Sequence, residues 1–573
     1  MLPADLIKAG SFSVQLLTVA GTGRGATPYP CTNCATKTRA FEVTDPAPPL
    51  RLTVVGVSWT YQGRTYEPRA LDFEMVRSWL VRAYPISDVI YTTVTKPYPE
   101  PKHPHIKTSS DDPQPDPLQP DEFTCRDVNI LVAKLRAADM KGNLDRRTHY
   151  FGLVYDGDGG RGFPWMRGCG AVPPTPNTSA IASGPTGSLR KWGWDESGSY
   201  GGWYTGHELG HNLGRQHVGG KCREKDIEYF PYDGGAIAPA SGPNFVGFDP
   251  GDVVVGRDLP PIAIAGRHPQ PQLMGHDVMS YCRWQWISDY TRKFLFERLT
   301  AENKLPSDSP DIALVSSSAP APVVTAANRA REVTAEAKGV PARGAYLHVI
   351  ARLNRGWTSA AVEDVLWLER AVADPLATGD TPVVQTIGAD GRVLNSYPVE
   401  VLEFSDQERV PDPKHPDGLI SATIPTSDAV AGLRITYAGK TLAERMAGKA
   451  HPELQAAQQP LRLKLPTGQY YSKSAKKKTA PAARAIAERP VRLSWEASHA
   501  EAKPLSYSVQ ISTDAGLTWE TVAVGLKVPH VDIAPLSISE GRRAAARSGA
   551  SIMYRVIASD SFHATELVGN LPK

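Results

Sequence analysis

Three histidines and a glutamate within eleven residues carry the strongest chemical signal in the chain: His207-Glu208-Leu209-Gly210-His211-Asn212-Leu213-Gly214-Arg215-Gln216-His217. On a helix, positions i and i+4 lie on one face, so His207 and His211 present two imidazole nitrogens to a single metal ion. Glu208, beside the first ligand, is placed to address a water held by that ion. Gly214 lets the chain leave the helix in a backbone conformation costly for other residues, and the turn brings His217 back as a third ligand. Three protein ligands leave the fourth tetrahedral corner to water, the arrangement of a catalytic rather than a structural zinc. The competing account is a His-rich surface helix. It requires three His, one Glu and one Gly to coincide by chance in a chain with only 14 His among 573 residues.

A second segment lies downstream: Gly275-His276-Asp277-Val278-Met279-Ser280-Tyr281-Cys282. Together the two stretches resemble the metzincin clan of zinc endopeptidases. The resemblance implies that Met279 sits on a tight turn forming an apolar floor under the three histidines, and that Tyr281 touches the metal or the transition state. An ordinary turn with a core methionine and a packing tyrosine is the alternative for that pair. Ser288 is an N-cap for a helix running to about Thr300, which resembles the closing helix of a metzincin domain. The resemblance spans residues 50 to 305 and singles out no one family within the clan.

The elements that must position these groups precede them. Residues 52–59 are β-branched and alternating, and 61–66 complete a hairpin through Gln62-Gly63. From Arg69 to Ala83, Leu71, Phe73, Val76, Leu80 and Val81 recur at helical spacing; from Asp121 to Asp139, Val128, Leu131, Val132 and Leu135 do the same. Residues 148–155 read as a central strand. This strand-helix-helix-strand order resembles the upper half of a metzincin. Residues 163–172 correspond to a strand that lies at the sheet edge in the clan. An edge strand has free donors and acceptors that pair an extended peptide across the metal, so the expected substrate is a polypeptide or glycoprotein. Just before it, Asp156 and Asp158 are either a calcium site or part of a solvated tight turn.

Six cysteines permit fifteen pairings. A bridge between Cys222, which follows His217, and Cys282, which follows the methionine turn, would brace both halves of the zinc site. Cys125 and Cys169 form the second expected pair. For Cys31 and Cys34, spaced Cys-x-x-Cys, a local disulfide, a redox pair and a thiolate on the zinc all stay open. Disulfides imply an oxidising compartment, hence a secreted, cell-surface or periplasmic protein, although Met1-Leu2-Pro3-Ala4-Asp5 does not begin a signal peptide.

A chain of 573 residues is too long for one core, and 49 Gly and 50 Pro favour turns and β-structure. With 63 basic against 60 acidic residues, nucleic acid is not the expected partner. There is no apolar run of transmembrane length. The expected fold is multidomain α+β: a metzincin-like catalytic domain, with a twisted mixed sheet, an active-site helix and a C-terminal helix, followed by β-sandwich domains. Residues 1–50 form a segment of open role, 51–305 the zinc protease domain, 306–343 a linker and 344–465 a β-sandwich. A basic linker, 466–489, contains Lys476-Lys477-Lys478, and 490–573 resemble a fibronectin type III or immunoglobulin-like fold. The expected function is zinc-dependent hydrolysis of peptide bonds in extracellular proteins, with the C-terminal β-domains contacting a surface or carbohydrate. Two alternatives remain. One is a zinc-retaining adhesin without proteolytic activity, which the intact Glu208 opposes; the other is a zinc hydrolase acting on a different bond, which the edge strand opposes.

Overall fold

The structure is a computed structural model. It describes residues 48–100, 102–105, 120–141, 145–155, 168–187, 201–218, 229–239, 245–252, 262–265, 275–280, 282, 284–307, 340–342, 346–368, 371, 373–405, 415–456, 461–462, 491–514, 516, 518–533 and 552–571, plus four two-residue strands before residue 43. The expected calcium residues Asp156 and Asp158, the catalytic candidate Tyr281 and the cysteines Cys222, Cys31 and Cys34 lie outside the described residues, as do most of both expected linkers.

The first long strand, β1 (Leu50–Tyr61), is buried almost throughout rather than on one face, because both of its faces are covered. Leu50, Leu52 and Val54 pack with Phe73, Val76, Trp79 and Leu80. Their neighbours Val55, Val57 and Trp59 enter a second core with Val128, Leu131, Val132 and Leu135. Gln62 and Gly63 both take positive φ, 49° and 74°, as a two-residue hairpin turn requires, and lead into β2 (Arg64–Tyr66). Helix α1 (Ala70–Ala83) is held at its start by the Asp72 carboxylate, which accepts the Arg69 N–H at 2.7 Å. Then comes β3 (Val89–Pro97), a strand the periodicity does not predict because its exposed positions do not alternate. Helix α2 (Cys125–Met140) follows Thr124, whose hydroxyl and N–H exchange hydrogen bonds with Asp127.

Strands β3 and β4 (His149–Val154) both pair parallel with β1, so α1 and α2 are the crossovers that parallel pairing demands. Next to them, β6 (Ile181–Pro185) runs parallel to β4, and β5 (Cys169–Val172) runs antiparallel to β6. Helices α3 (Gly201–Asn212) and α4 (Asp289–Glu302) complete this unit. As expected, Ser288 caps α4, accepting the Thr291 N–H at 3.1 Å. Cys125 and Cys169 form the expected disulfide, tying the start of α2 to β5. Cys282 is also disulfide-bonded.

The downstream strands alter one expectation. In chain order they are β7 (Tyr346–Leu353), β8 (Ala360–Leu368), β9 (Val383–Gly388), β10 (Val393–Pro398), β11 (Leu402–Phe404), β12 (Gly418–Pro425), β13 (Val430–Tyr437) and β14 (Lys440–Met446). Strands β10, β9, β13 and β14 form one sheet of a sandwich. The other, β8-β7-β12-β11, continues directly into β5-β6-β4-β1-β2, giving one ten-stranded sheet with β3 also on β1. Strand β5 is therefore not an edge. Its outer side pairs with β11, Ala171 opposite Phe404 and Val172 opposite Glu403. The physical reason is that Leu402 and Phe404 enter the same core as Leu131, Cys169 and Ala171, so apolar burial and ladder hydrogen bonds favour the same pairing.

A final sandwich is built from two further sheets. Val340–Ala342, Ala564–Asn570, Met553–Ser559, Ser506–Ser512 and Glu520–Leu526 make one sheet; Glu453–Ala456, Leu461–Arg462 and His530–Ile533 pair with Val491–Ser498 in the other. Residues 453–456 and 461–462, read from sequence as the preceding domain, thus pair with the last one, and residues 340–342 leave the linker to do likewise. Among the described residues, four α-helices accompany these mixed and antiparallel sheets, a multidomain α+β architecture. No described helix is long and apolar enough to cross a membrane. Polar contacts bind α2 to both sandwiches: Arg126 to Asp417 at 3.0 Å, Lys134 to Glu363 at 3.4 Å, and the Gln510 amide to the Ala138 carbonyl at 2.9 Å.

Strand β7 buries His348 between the hydroxyls of Thr423 and Ser421, at 3.0 and 3.2 Å, and burial pushes its pKa down to about 3. An unfolded chain takes up a proton here as pH falls through about 6.5, while the folded chain resists until much lower, so stability drains away across that window. Each such group steepens the loss by at most about 1.4 kcal/mol per pH unit. Urea denaturation at pH 7.5 and 4.5 is expected to show a smaller acid-induced loss for His348→Gln than for the unmodified protein.

Candidate metal centre

Helix α3 supplies the first two histidines, and its burial is what aims them. His207, His211 and His217 are all almost fully inaccessible. Leu209 and Leu213 face the core with Trp79 and Met279, so the opposite edge of the helix turns toward β5 and the site. The helix ends where Gly214 adopts φ +90°, with its N–H on the His211 carbonyl at 2.7 Å and the Arg215 N–H on the Gly210 carbonyl at 3.0 Å. The buried Arg215 guanidinium then lies over the rings of Tyr290 and Phe294, at 5.0 and 5.1 Å, fastening the turn to α4. His217 returns to the other two.

The Nε2 atoms of His207 and His217 are 2.9 Å apart, and those of His211 and His217 are 3.0 Å apart. The Nδ1 of His207 lies 2.7 Å from the Val278 carbonyl, and that of His211 lies 2.7 Å from the Arg215 carbonyl. A carbonyl only accepts, so both Nδ1 atoms carry the proton and both Nε2 atoms present bare lone pairs when the rings are neutral. Burial keeps them neutral: it lowers the His207 pKa to about 4 and moves those of His211 and His217 well below the ordinary value, the neighbouring imidazoles adding to the effect. Three buried nitrogens thus converge with too few protons to bridge them, which favours a cation between them. Tetrahedral zinc holds its nitrogens about 3.3 Å apart, so the spacing needs to widen by only a few tenths of an ångström. Among the described residues this is the one cluster of His, Cys, Asp or Glu with metal-holding spacing.

The methionine turn anchors the same site. Val278 orients His207, the Met279 carbonyl accepts the Val218 N–H at 3.1 Å beside the third histidine, and the Met279 sulfur packs beneath Gly210. Asp277 fixes the turn, its carboxylate accepting the N–H groups of Met279 at 2.9 Å and Ser288 at 3.0 Å. One carboxylate therefore joins the turn to the cap of α4.

Glu208 is buried against β5; a Cβ built on Gly168 would stand 2.4 Å from its Oε1. A hydroxyl that sequence spacing could not reveal joins it. Ser405, the residue after β11, accepts the Gly170 N–H at 3.0 Å and places its Oγ 3.5 Å from Glu208 Oε2. The sequence contains no local signal for this contact, since the two residues are 197 apart and meet only through sheet pairing. Tyr84 is the other unpredicted member, its hydroxyl donating to the Gly206 carbonyl of α3 at 2.5 Å. The predicted residues His207, Glu208, His211, His217 and Met279 do come together.

In comparisons with known proteins, no family model matches the chain and no curated protein matches it.

The position before the first histidine gives a direct test of this packing. On an exposed helix, Gly→Ala stabilises by up to about 1 kcal/mol. At Gly206 the added Cβ would lie 1.9 Å from Trp79 Cζ3, so the sign is reversed. Gly206→Ala is expected to lose about 1–3 kcal/mol, read as a lower thermal midpoint.

Proposed function

We propose that the chain is a zinc-dependent endopeptidase of the metzincin type, acting on peptide bonds of extracellular proteins, with Glu208 as general base. The observation that carries this reading is the convergence of the His207, His211 and His217 side chains, the first two on the helix that also carries the buried Glu208. A structural metal site has no use for Glu208. The antiparallel β5 beside parallel β6, β4 and β1, and a buried methionine turn under α3, support the same reading.

His207, His211 and His217 would hold the metal, which when bound supplies a Lewis acid and a water acidic enough to attack at neutral pH. The Val278 and Arg215 carbonyls orient two of the imidazoles and raise their basicity toward it. Glu208 takes the proton from the attacking water and returns it to the leaving amine. Its burial against β5 fixes the carboxylate in place. Tyr281 is proposed to donate to the developing oxyanion on the resemblance alone. Export to an oxidising compartment fits the Cys125–Cys169 disulfide.

A zinc-retaining surface-binding protein is the second reading, and one observation favours it: β11 and Ser405 fill the strand edge on which an extended substrate was expected to lie. Both readings predict one zinc per chain, lost on chelation and on His217→Ala. They part at Glu208. In an assay on denatured protein and a peptide library, Glu208→Ala should keep its zinc and lose about 10²–10⁴-fold in rate. Hydrolysis that survives the substitution removes the mechanism, and a zinc-loaded unmodified protein inert on every peptide favours the binding reading instead.

A further inference from the structure

We infer that the Cys125–Cys169 disulfide is an oxidative switch for the proposed peptidase: its formation sets β5 behind Glu208, and a chain with both thiols reduced keeps its three histidines but has no fixed general base. Cys125 and Cys169 are thus positioning residues for Glu208. The inference rests on the reading of Glu208 as general base.

Side chains alternate along a strand, so Cys169 and Ala171 enter the core shared with α2 while Gly168 and Gly170 turn toward α3. On that second face there is no slack. A Cβ built on Gly170 would lie 2.6 Å from the Glu208 carbonyl oxygen and 2.9 Å from the His211 Cβ, and one on Gly168 would overlap the Glu208 carboxylate. The position of β5 therefore sets the space open to the Glu208 side chain. Cys169, between the two glycines, is the point at which that position is fixed covalently.

Strand β5 is short, and among the described residues its register is two residue pairs with β6 and two with β11. The disulfide adds a bond to the first residue of α2. That end of the helix is itself anchored: the Ser183 hydroxyl of β6 donates to the Cys125 carbonyl at 3.0 Å, and Thr124 caps the helix by accepting the Asp127 N–H. One turn along α2, the Asn129 amide donates to the Cys169 carbonyl at 3.1 Å and meets its sulfur at 3.4 Å. The bridge thus fastens the strand behind Glu208 to a helix that is held on its own account.

Forming it is a two-electron oxidation. Two S–H bonds break and one S–S bond forms, and two electrons and two protons pass to a disulfide oxidant of the glutathione class, which leaves as two thiols. A reducing compartment keeps the thiols apart, and an oxidising one joins them. Cys125 and Cys169 are 7% and 0% exposed, so the finished bond is shielded from thiols outside. The switch is set once, as the chain folds, and does not toggle.

The test compares the full-length, zinc-loaded protein with its Cys125→Ala/Cys169→Ala double variant, which leaves the bridge at Cys282 intact. The variant should keep one zinc per chain and its KM, while kcat falls at least about tenfold. Hydrogen exchange gives a second readout: relative to α4 in the same sample, the amides of β5 should exchange at least about tenfold faster. An unchanged kcat, a loss of zinc that accounts for the lost activity, or equal acceleration of β5 and α4 overturns the inference. Should the variant fail to fold, the unmodified chain is refolded from its reduced state in glutathione buffer with zinc, and samples quenched by alkylation are mapped by mass. Activity should rise with the Cys125–Cys169 link, and activity that precedes the link overturns the switch. Should the unmodified protein hold zinc yet cleave nothing, the base reading and the switch fail together, while the exchange comparison still decides whether the bridge sets β5.

Discussion

Three neutral imidazoles buried tip to tip are the constraint around which the rest of this structure is arranged. In water, nothing would hold such lone pairs together; here, packing does. Trp79 under α3, the Met279 sulfur under Gly210, and the carbonyls of Val278 and Arg215 leave the rings no other orientation. The cost of burying polar nitrogens at this spacing is recovered when a cation occupies their centre. The helix, the reversed turn at Gly214, the methionine turn and the cap of α4 therefore behave as one unit, joined by Asp277 and by the Arg215 guanidinium stacked on Tyr290 and Phe294.

The second organising feature is the continuity of the sheet. A mixed α/β sheet and an antiparallel sandwich share one hydrogen-bonded surface through the short β5–β11 pairing, and a single apolar cluster runs through both. Burying Leu402 and Phe404 is worth about 1.5–3 kcal/mol each, a gain added to the ladder bonds, which an incoming peptide would only replace. The arithmetic favours the chain's own strand. The sandwich thus borders the histidine cluster's helix, with Ser405 contacting Glu208.

Local signals were sufficient wherever local physics decides structure. The i, i+4 histidines, the glycine that reverses the helix, the Gln62-Gly63 turn, the Ser288 cap and the apolar faces of α1 and α2 all depend on neighbours within a few residues, and each reappears in the structure. The Cys125–Cys169 disulfide is likewise one of the expected pairs. Strand β6, Ile181-Ala-Ser-Gly-Pro, carries no strong local signal because its residues are small to fit against α3 rather than chosen for strand propensity. Strand β3 gives no periodic signal because it lacks alternation.

By itself, then, the sequence determined the histidine cluster, the glutamate beside it and the helix that carries His207, Glu208 and His211, because covalent spacing along a helix is translated directly into distance. Only the tertiary structure decided what faces that site. Whether β5 would be an open edge, where the sandwich borders fall, and that a serine 197 residues away would meet Glu208 depend on which strand wins a pairing contest among distant segments. That outcome is set by summed burial across a shared core, a quantity no stretch of sequence holds on its own.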